Sequence, residues 1–430
     1  MTEAFLHYIW QHQMLDKRLA TTDGQPVVVH RAGDLNRDAG PDFFNARVTI
    51  GEVEWAGNIE LHMRSSDWDA HCHSKDKSYN GIILHVVYEH DREIVLENGQ
   101  VPQTLELKSF INPAIVAGYD SLMAPPTPAD IIPCSRRLPE VPALVVNSFL
   151  DRLSVERIEC KSEVVRRLLD ESRGNWEQTC YWLMAHYFGG KVNALPFELL
   201  AKATDQRFLA RWKDNPRRIE ALLMGQAGLL EGYFEDDYPR QLQTDYEAFR
   251  SGASLSPIGG YLWRFFRVRP SSFPTIRISQ FAQLVSMSSN LFSTLLPMTD
   301  VEQIVKLLDC HAADYWDNHY HFDQATERKS VKRLGRMQAE LLIINAWIPL
   351  LFVYGAVRGQ QQYKEQALRL LQQLPPENNS IIRQFQSLGQ KPDNAAQSQA
   401  LIQLKNNYCN GRRCLDCRIG HHIIKKAASS

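Results

Sequence analysis

Four signatures that would name a chemistry are missing from these 430 residues. There is no Walker loop, no dinucleotide-binding glycine pattern, no G-x-S-x-G elbow and no H-E-x-x-H. Their absence argues against nucleotide-driven, nicotinamide-linked and the commoner hydrolase chemistries. Long apolar runs are also lacking. None approaches the roughly 18 residues of a membrane span, and the opening MTEAFLHYIWQHQ does not read as a signal peptide, so no membrane partner is expected. Cysteine is sparse: 8 residues in so long a chain make no disulfide scaffold, and a reducing, cytoplasmic setting is expected. Net charge is nearly absent too, at −1, and points to no partner by itself. What is present is the 44% hydrophobic content of a globular protein, long enough for two or three domains.

The small total conceals a split. Residues 1–123 hold 10 Lys and Arg against 18 Asp and Glu, together with 8 of the 14 histidines; the remainder is correspondingly basic. Residues 4–15 are apolar at helical spacing. Short β-branched or alternating runs follow at 26–31, 43–50, 53–63, 81–90 and 103–110, bounded by Gly, Asp, Asn and Pro. Proline density then rises in MAPPTPADIIPCSRRLPEVP, which reads as a linker. From 143 the apolar spacing turns to three and four, for example over Trp176–Phe188 and Gln361–Gln373. Asn215 and Pro216 make a plausible helix start. The expected fold class is α+β: a mixed sheet domain over 1–122, a Pro-rich linker over 123–142, an all-α domain over 143–405 and a cysteine-bearing tail over 406–430.

The densest chemistry lies between Asp34 and His90. A two-residue turn at Gly51-Glu52 sets Phe44, Ala46, Val48 and Ile50 opposite Ile59, Gly57, Trp55 and Val53, matching apolar to apolar. Glu60 and His62, two apart on a strand, share a face. Asp42 enters the partner strand nearby, but this register places it opposite Leu61, on the apolar side. A bulge at Pro41-Asp42 is required to turn it over. Two carboxylates beside one further donor can hold a divalent metal that activates water.

GPDF followed by NIELH resembles the signature of the PD-(D/E)XK nuclease superfamily, with an Asp opening one core strand and Glu-x-Lys on the next. The order of helix, strands, short irregular stretch and final strand GIILHVVYE is similar as well. The resemblance implies a restriction-endonuclease-like sheet domain and a Mg- or Mn-dependent nuclease hydrolysing nucleic-acid phosphodiesters. Asp42 and Glu60 would be the metal ligands, and His62 stands where that superfamily has Lys. An inactive nucleic-acid-binding or scaffold protein is the alternative, since that Lys is gone.

A second alternative is a His/carboxylate metal enzyme acting on a small molecule. His62, His71, His73 and His85, with Asp67, Asp69 and Asp76 nearby, could supply imidazole and carboxylate ligands for zinc, iron or nickel. The bland reading makes Asp67, His71, His73 and Asp76 a solvated loop and His85 a hydrogen-bonded core residue.

The tail YCNGRRCLDCRIGHHII sets Cys409, Cys414 and Cys417 in a C-x4-C-x2-C array suited to zinc or an iron–sulfur cluster. It is similar to the terminal cluster loop of helix-hairpin-helix DNA glycosylases, and some PD-(D/E)XK nucleases also end in a cysteine-bound cluster. A fourth ligand is missing from the array; His421, His422, Cys134, Cys160, Cys180 or Cys310 could complete it. In the helical part, Arg264, Arg267, Arg269 and Arg277 are interleaved with aromatics, a mixture suited to phosphate and base contacts. As a whole the chain resembles a family of uncharacterised bacterial proteins that share segments like DAGPDFFNARV, GNIELH, SSDW, ILHVVYE, RPSSFPTIR and the terminal cysteines.

Overall fold

A computed structural model describes residues 1–16, 18–125, 131–252, 255–288 and 290–427. Residues 126–130 of the expected linker therefore lie outside the described residues. The chain divides into two compact units, one of 1–149 with 404–430, the other of 150–403. The cysteine-bearing tail thus joins the sheet unit.

The sheet unit opens with helix α1 (Glu3–Gln11). The Thr2 hydroxyl accepts from the Phe5 N–H at its start, and Phe5, Leu6, Tyr8, Ile9 and Trp10 form its buried face. Seven strands follow: β1 (Leu19–Ala20), β2 (Pro26–Arg31), β3 (Asp34–Leu35), β4 (Phe43–Ile50), β5 (Val53–Arg64), β6 (Ile82–Glu89) and β7 (Gln103–Glu106). They form one mixed sheet in the order β1-β2-β4-β5-β6-β7, with β3 also paired to β4. The pairings β1–β2, β2–β4 and β4–β5 are antiparallel, whereas β5–β6 and β6–β7 are parallel. A fold class of α+β, mixed sheet then helices, is what the structure shows.

The β4–β5 hairpin turns at Gly51, whose φ of +62° suits glycine at that position. From Ile50↔Val53 to Ala46↔Gly57 the pairing follows the expected register. It then slips: Phe43 pairs with Ile59, leaving Phe44 and Asn45 opposite Asn58 alone. Asn45 sits at φ +57°, a left-handed conformation that Asn tolerates better than most residues. The bulge required to reorient Asp42 therefore exists, but at Phe44-Asn45 rather than at Pro41-Asp42.

Strand β6 is the best-covered strand, with Leu84, His85, Val86 and Val87 all at 0% exposure, as parallel central strands require. Gly57 belongs here because a Cβ would stand 2.5 Å from the Ile83 side chain. Between β5 and β6 the chain crosses over through helix α2 (Asp67–Ala70) and two 3-10 turns at His73–Lys75 and Lys77–Gly81. Helix α3 (Pro113–Met123) follows the sheet.

The second unit is helical. Helix α4 (Ala143–Glu171) leads into it, and Trp176–Phe188 forms over the expected span. The helix Pro216–Gln226 starts as expected, with Asn215 accepting from the Arg218 N–H. Its core gathers Phe197, Phe281, Trp316 and Trp347, all nearly inaccessible. The continuous helix Arg336–Val357 is long and apolar enough to cross a membrane by length and composition, a run longer than the sequence reading allowed. Most of its apolar stretch, 67%, is buried.

Candidate metal centre

Residues 59–62 of β5 are all buried, so the polar pair Glu60 and His62 lies inside the protein at 4% and 1% exposure. Parallel pairing sets Glu60 beside His85, which puts Glu60, His62 and His85 on one face of the sheet. Buried polar groups need partners, and here they come from the β4 side and from the β5–β6 crossover.

Asp42 arrives from the β4 side. Asn36 shapes the loop before it, its side-chain amide donating to the carbonyls of Asp38, Ala39 and Pro41. The Asp42 N–H donates to Glu60 Oε2 at 3.0 Å, and Asp42 Oδ2 accepts from the Leu61 N–H at 2.9 Å. His7 Nε2 of α1 stands 3.2 Å from the same Oδ2. Asp42 and Glu60 are therefore neighbours, as expected, although one oxygen of each is engaged with backbone.

The histidines arrive from the crossover. Cys72 adopts φ +63°, a left-handed turn between His71 and His73. His73 Nε2 comes within 3.3 Å of Glu60 Oε1, and His62 Nε2 lies 3.8 Å from that oxygen and 3.2 Å from His71 Nδ1. The candidate donor atoms of His62, His71 and His73 all fall within 4.8 Å of one another. Tetrahedral donors about 2.0–2.1 Å from zinc stand about 3.3 Å apart, so these spacings fit a single transition-metal ion. Behind them, His62 Nδ1 pairs with His85 Nε2 at 2.9 Å, and the Tyr79 ring packs against His73, tilted by 30° with 3.9 Å between ring centroids. Such supports hold a ligand ring in position and fix its tautomer.

Electrostatics follow from burial. Desolvation, reinforced by the Asp42 charge, pushes the Glu60 carboxyl up to about 9. Desolvation, with the neighbouring imidazoles, pulls His62 down to about 3, and His85 likewise falls to about 3. His73 is also lowered by burial. The lowering leaves His62 and His85 uncharged at neutral pH, the form that binds metals.

Two sites read separately in the sequence are thus one. The solvated-loop reading fails for His73, which is 13% exposed and faces Glu60. The loop carboxylates do not join it. Asp67 accepts from the Arg64 N–H, Asp69 pairs with Arg92, and Asp76 accepts from the Ser78 N–H. His85 is a hydrogen-bonded core residue, as expected. His7 and Tyr79 were missed; the signal for His7 was a histidine set within the apolar stripe of α1.

Other expected residues lie elsewhere. Cys409, Cys414 and Cys417 belong to the sheet unit and form no disulfide. Arg264, Arg267 and Arg269 are exposed in the helical unit. Arg277 is a correction: at 7% exposure it is bound inside that unit to Gln280 and Ser272, and burial lowers its guanidinium to about 10. It presents no surface charge to a phosphate.

A family model described as protein of unknown function, DUF2851, matches residues 3–380. The chain belongs to that family. The DUF2851 match contains the whole carboxylate–histidine centre and ends before Cys409. No curated protein and no solved structure matches the chain.

Proposed function

We propose that the protein is a metal-dependent hydrolase whose ion is held by Glu60, His62, His71 and His73, and that its substrate is a phosphodiester. The observation that carries the metal is the convergence of the His62, His71 and His73 nitrogens within 4.8 Å of one another, with Glu60 Oε1 3.3 Å from His73 and 3.8 Å from His62. A donor set with more imidazole than carboxylate suits Mn, Fe or Zn better than Mg. When bound, such an ion lowers the pKa of water and polarises a substrate oxygen. Asp42 and His7, side by side at the rim, are placed to hold or accept a proton. His85 and Tyr79 keep the rings aligned.

The phosphodiester assignment rests on the likeness of GPDF, NIELH and the strand order to PD-(D/E)XK nucleases, with His62 in place of their Lys. The excess of imidazoles favours a second reading, a metal hydrolase acting on a small molecule in the same site.

Elemental analysis of the purified chain, then cleavage assays on single- and double-stranded DNA and RNA with Mg, Mn and Zn, tests both readings. We expect about one transition-metal ion lost in His62→Ala and His73→Ala, with activity reduced about 100-fold or more. Equal cleavage by wild type and both variants would sink the proposal. Metal loss without any nucleic-acid cleavage in the wild type would leave the small-molecule reading.

A further inference from the structure

The geometry points to a second metal site, independent of the histidine centre: Cys134, Cys409, Cys414 and Cys417 bind an iron–sulfur cluster. All four lie in the sheet unit, three of them on the tail. Its chain leaves the π-helical segment Leu404–Cys409, and Arg412 donates to the Leu122 carbonyl at 3.2 Å, at the end of α3. Arg412 and Cys134 line one cavity of about 250 Å³ together with Leu122, Pro133 and Ser135. The Cys414–Cys417 loop is fixed by the Cys417 N–H on the Cys414 carbonyl (3.3 Å) and the His421 N–H on the Cys417 carbonyl (2.8 Å). Gly420 lets that loop lie against the final helix, Arg418–Ala427; a Cβ there would stand 2.2 Å from the Cys414 carbonyl oxygen.

The thiols also sense one another. Burial is the first cause that raises Cys134, Cys409 and Cys414; after it come Cys409, Cys417 and Cys414 for Cys134, Cys417 and Cys414 for Cys409, and Cys417 for Cys414. All six pairings of the four residues are therefore within electrostatic reach, and none is a disulfide. His421 is engaged elsewhere, since its Nδ1 bonds the Tyr8 hydroxyl at 2.7 Å.

Spacing chooses between zinc and a cluster. Four sulfurs on one zinc at about 2.3 Å would lie about 3.8 Å apart. Among the described residues only the His62, His71 and His73 donors close to within 4.8 Å of one another, so no three of these thiols do. A cluster accepts each thiolate on a different iron and spans a wider cage. Lys405 and Arg412, on the same segment as Cys409 and Cys414, would balance an anionic cluster. The bound cluster would tie the segment before α4 to the end of the chain.

The test is iron, acid-labile sulfide and visible absorption on the full chain purified without oxygen. The expected result is about four iron and four sulfide per chain, as for a four-iron cluster. Cys134→Ser should lower both about tenfold or more, whereas His62→Ala and the helical-unit control Cys160→Ser keep them. Zinc without sulfide, or neither metal nor sulfide in the wild type, overturns the cluster. Full sulfide in Cys134→Ser overturns the fourth ligand. The wild-type measurement decides the main question even if Cys134→Ser does not fold.

Discussion

At Glu60, burial and the Asp42 charge act together, and the carboxyl is held near 9 while its unperturbed value is 4.5. The metal-free protein therefore carries Glu60 protonated at pH 7, whereas a metal-bound carboxylate must be ionised. Binding then expels a proton, and affinity couples to pH. The sign is fixed: the proton is present below about 9 in the free protein and absent in the bound one. Apparent affinity for Mn or Zn should thus rise between pH 7 and pH 9, by about tenfold per unit for one proton, and level off above. His62 adds nothing over that range, since it is already neutral, lowered to about 3. Calorimetry in two buffers of different ionisation enthalpy would show about one proton released at pH 7. Glu60→Gln should release none, and an unchanged proton count in that variant would refute the assignment.

Among the elements, the bulge in β4 decides whether Asp42 reaches the centre. An uninterrupted register would set Asp42 opposite Leu61; two residues against one at Asn58 set it beside Glu60. Asn45 supports this with φ +57°, which a β-branched residue resists. Asn45→Val should cost about 1–3 kcal/mol of stability and weaken metal binding, while Asn45→Gly keeps both. Thermal melts and metal titration of the two variants check this; equal behaviour would show that the bulge is not needed. The same elements show how much was legible. Alternation and Gly51 gave the hairpin turn and most of its register, and Asp42 and Glu60 were found from their residue types. The bulge was not readable at its true place, because a left-handed Asn leaves the apolar alternation unbroken on both sides. His71 and His73 read as a solvated loop because their partner, Glu60, is remote in sequence, and only the turn at Cys72 and the parallel crossover bring them back.

For the whole molecule, the order of the chain is a poor guide to the order of its units. The acidic balance of residues 1–123 suggested an acidic object followed by a basic one. Yet residues 404–430, with six Lys and Arg and one acidic residue, belong to the same unit as that acidic segment, so folding offsets much of the split. The tail is held at several places: His421 on Tyr8, Arg412 on the Leu122 carbonyl, Arg418 on Ser148, and Ala427 3.3 Å from where a Gly118 Cβ would stand. These partners lie in α1, α3 and the start of α4. Ending the chain after Gln403 should therefore loosen the sheet unit, although the cut is adjacent in sequence to the helical one. Hydrogen exchange followed by mass spectrometry would read this as exchange at least about tenfold faster in residues 113–123 and 131–149, about 1.4 kcal/mol of local opening. Residues 176–188 and 348–357, in the helical core, should keep their protection. Loss of protection in those helices with the sheet unit unchanged would show that the tail serves the other unit.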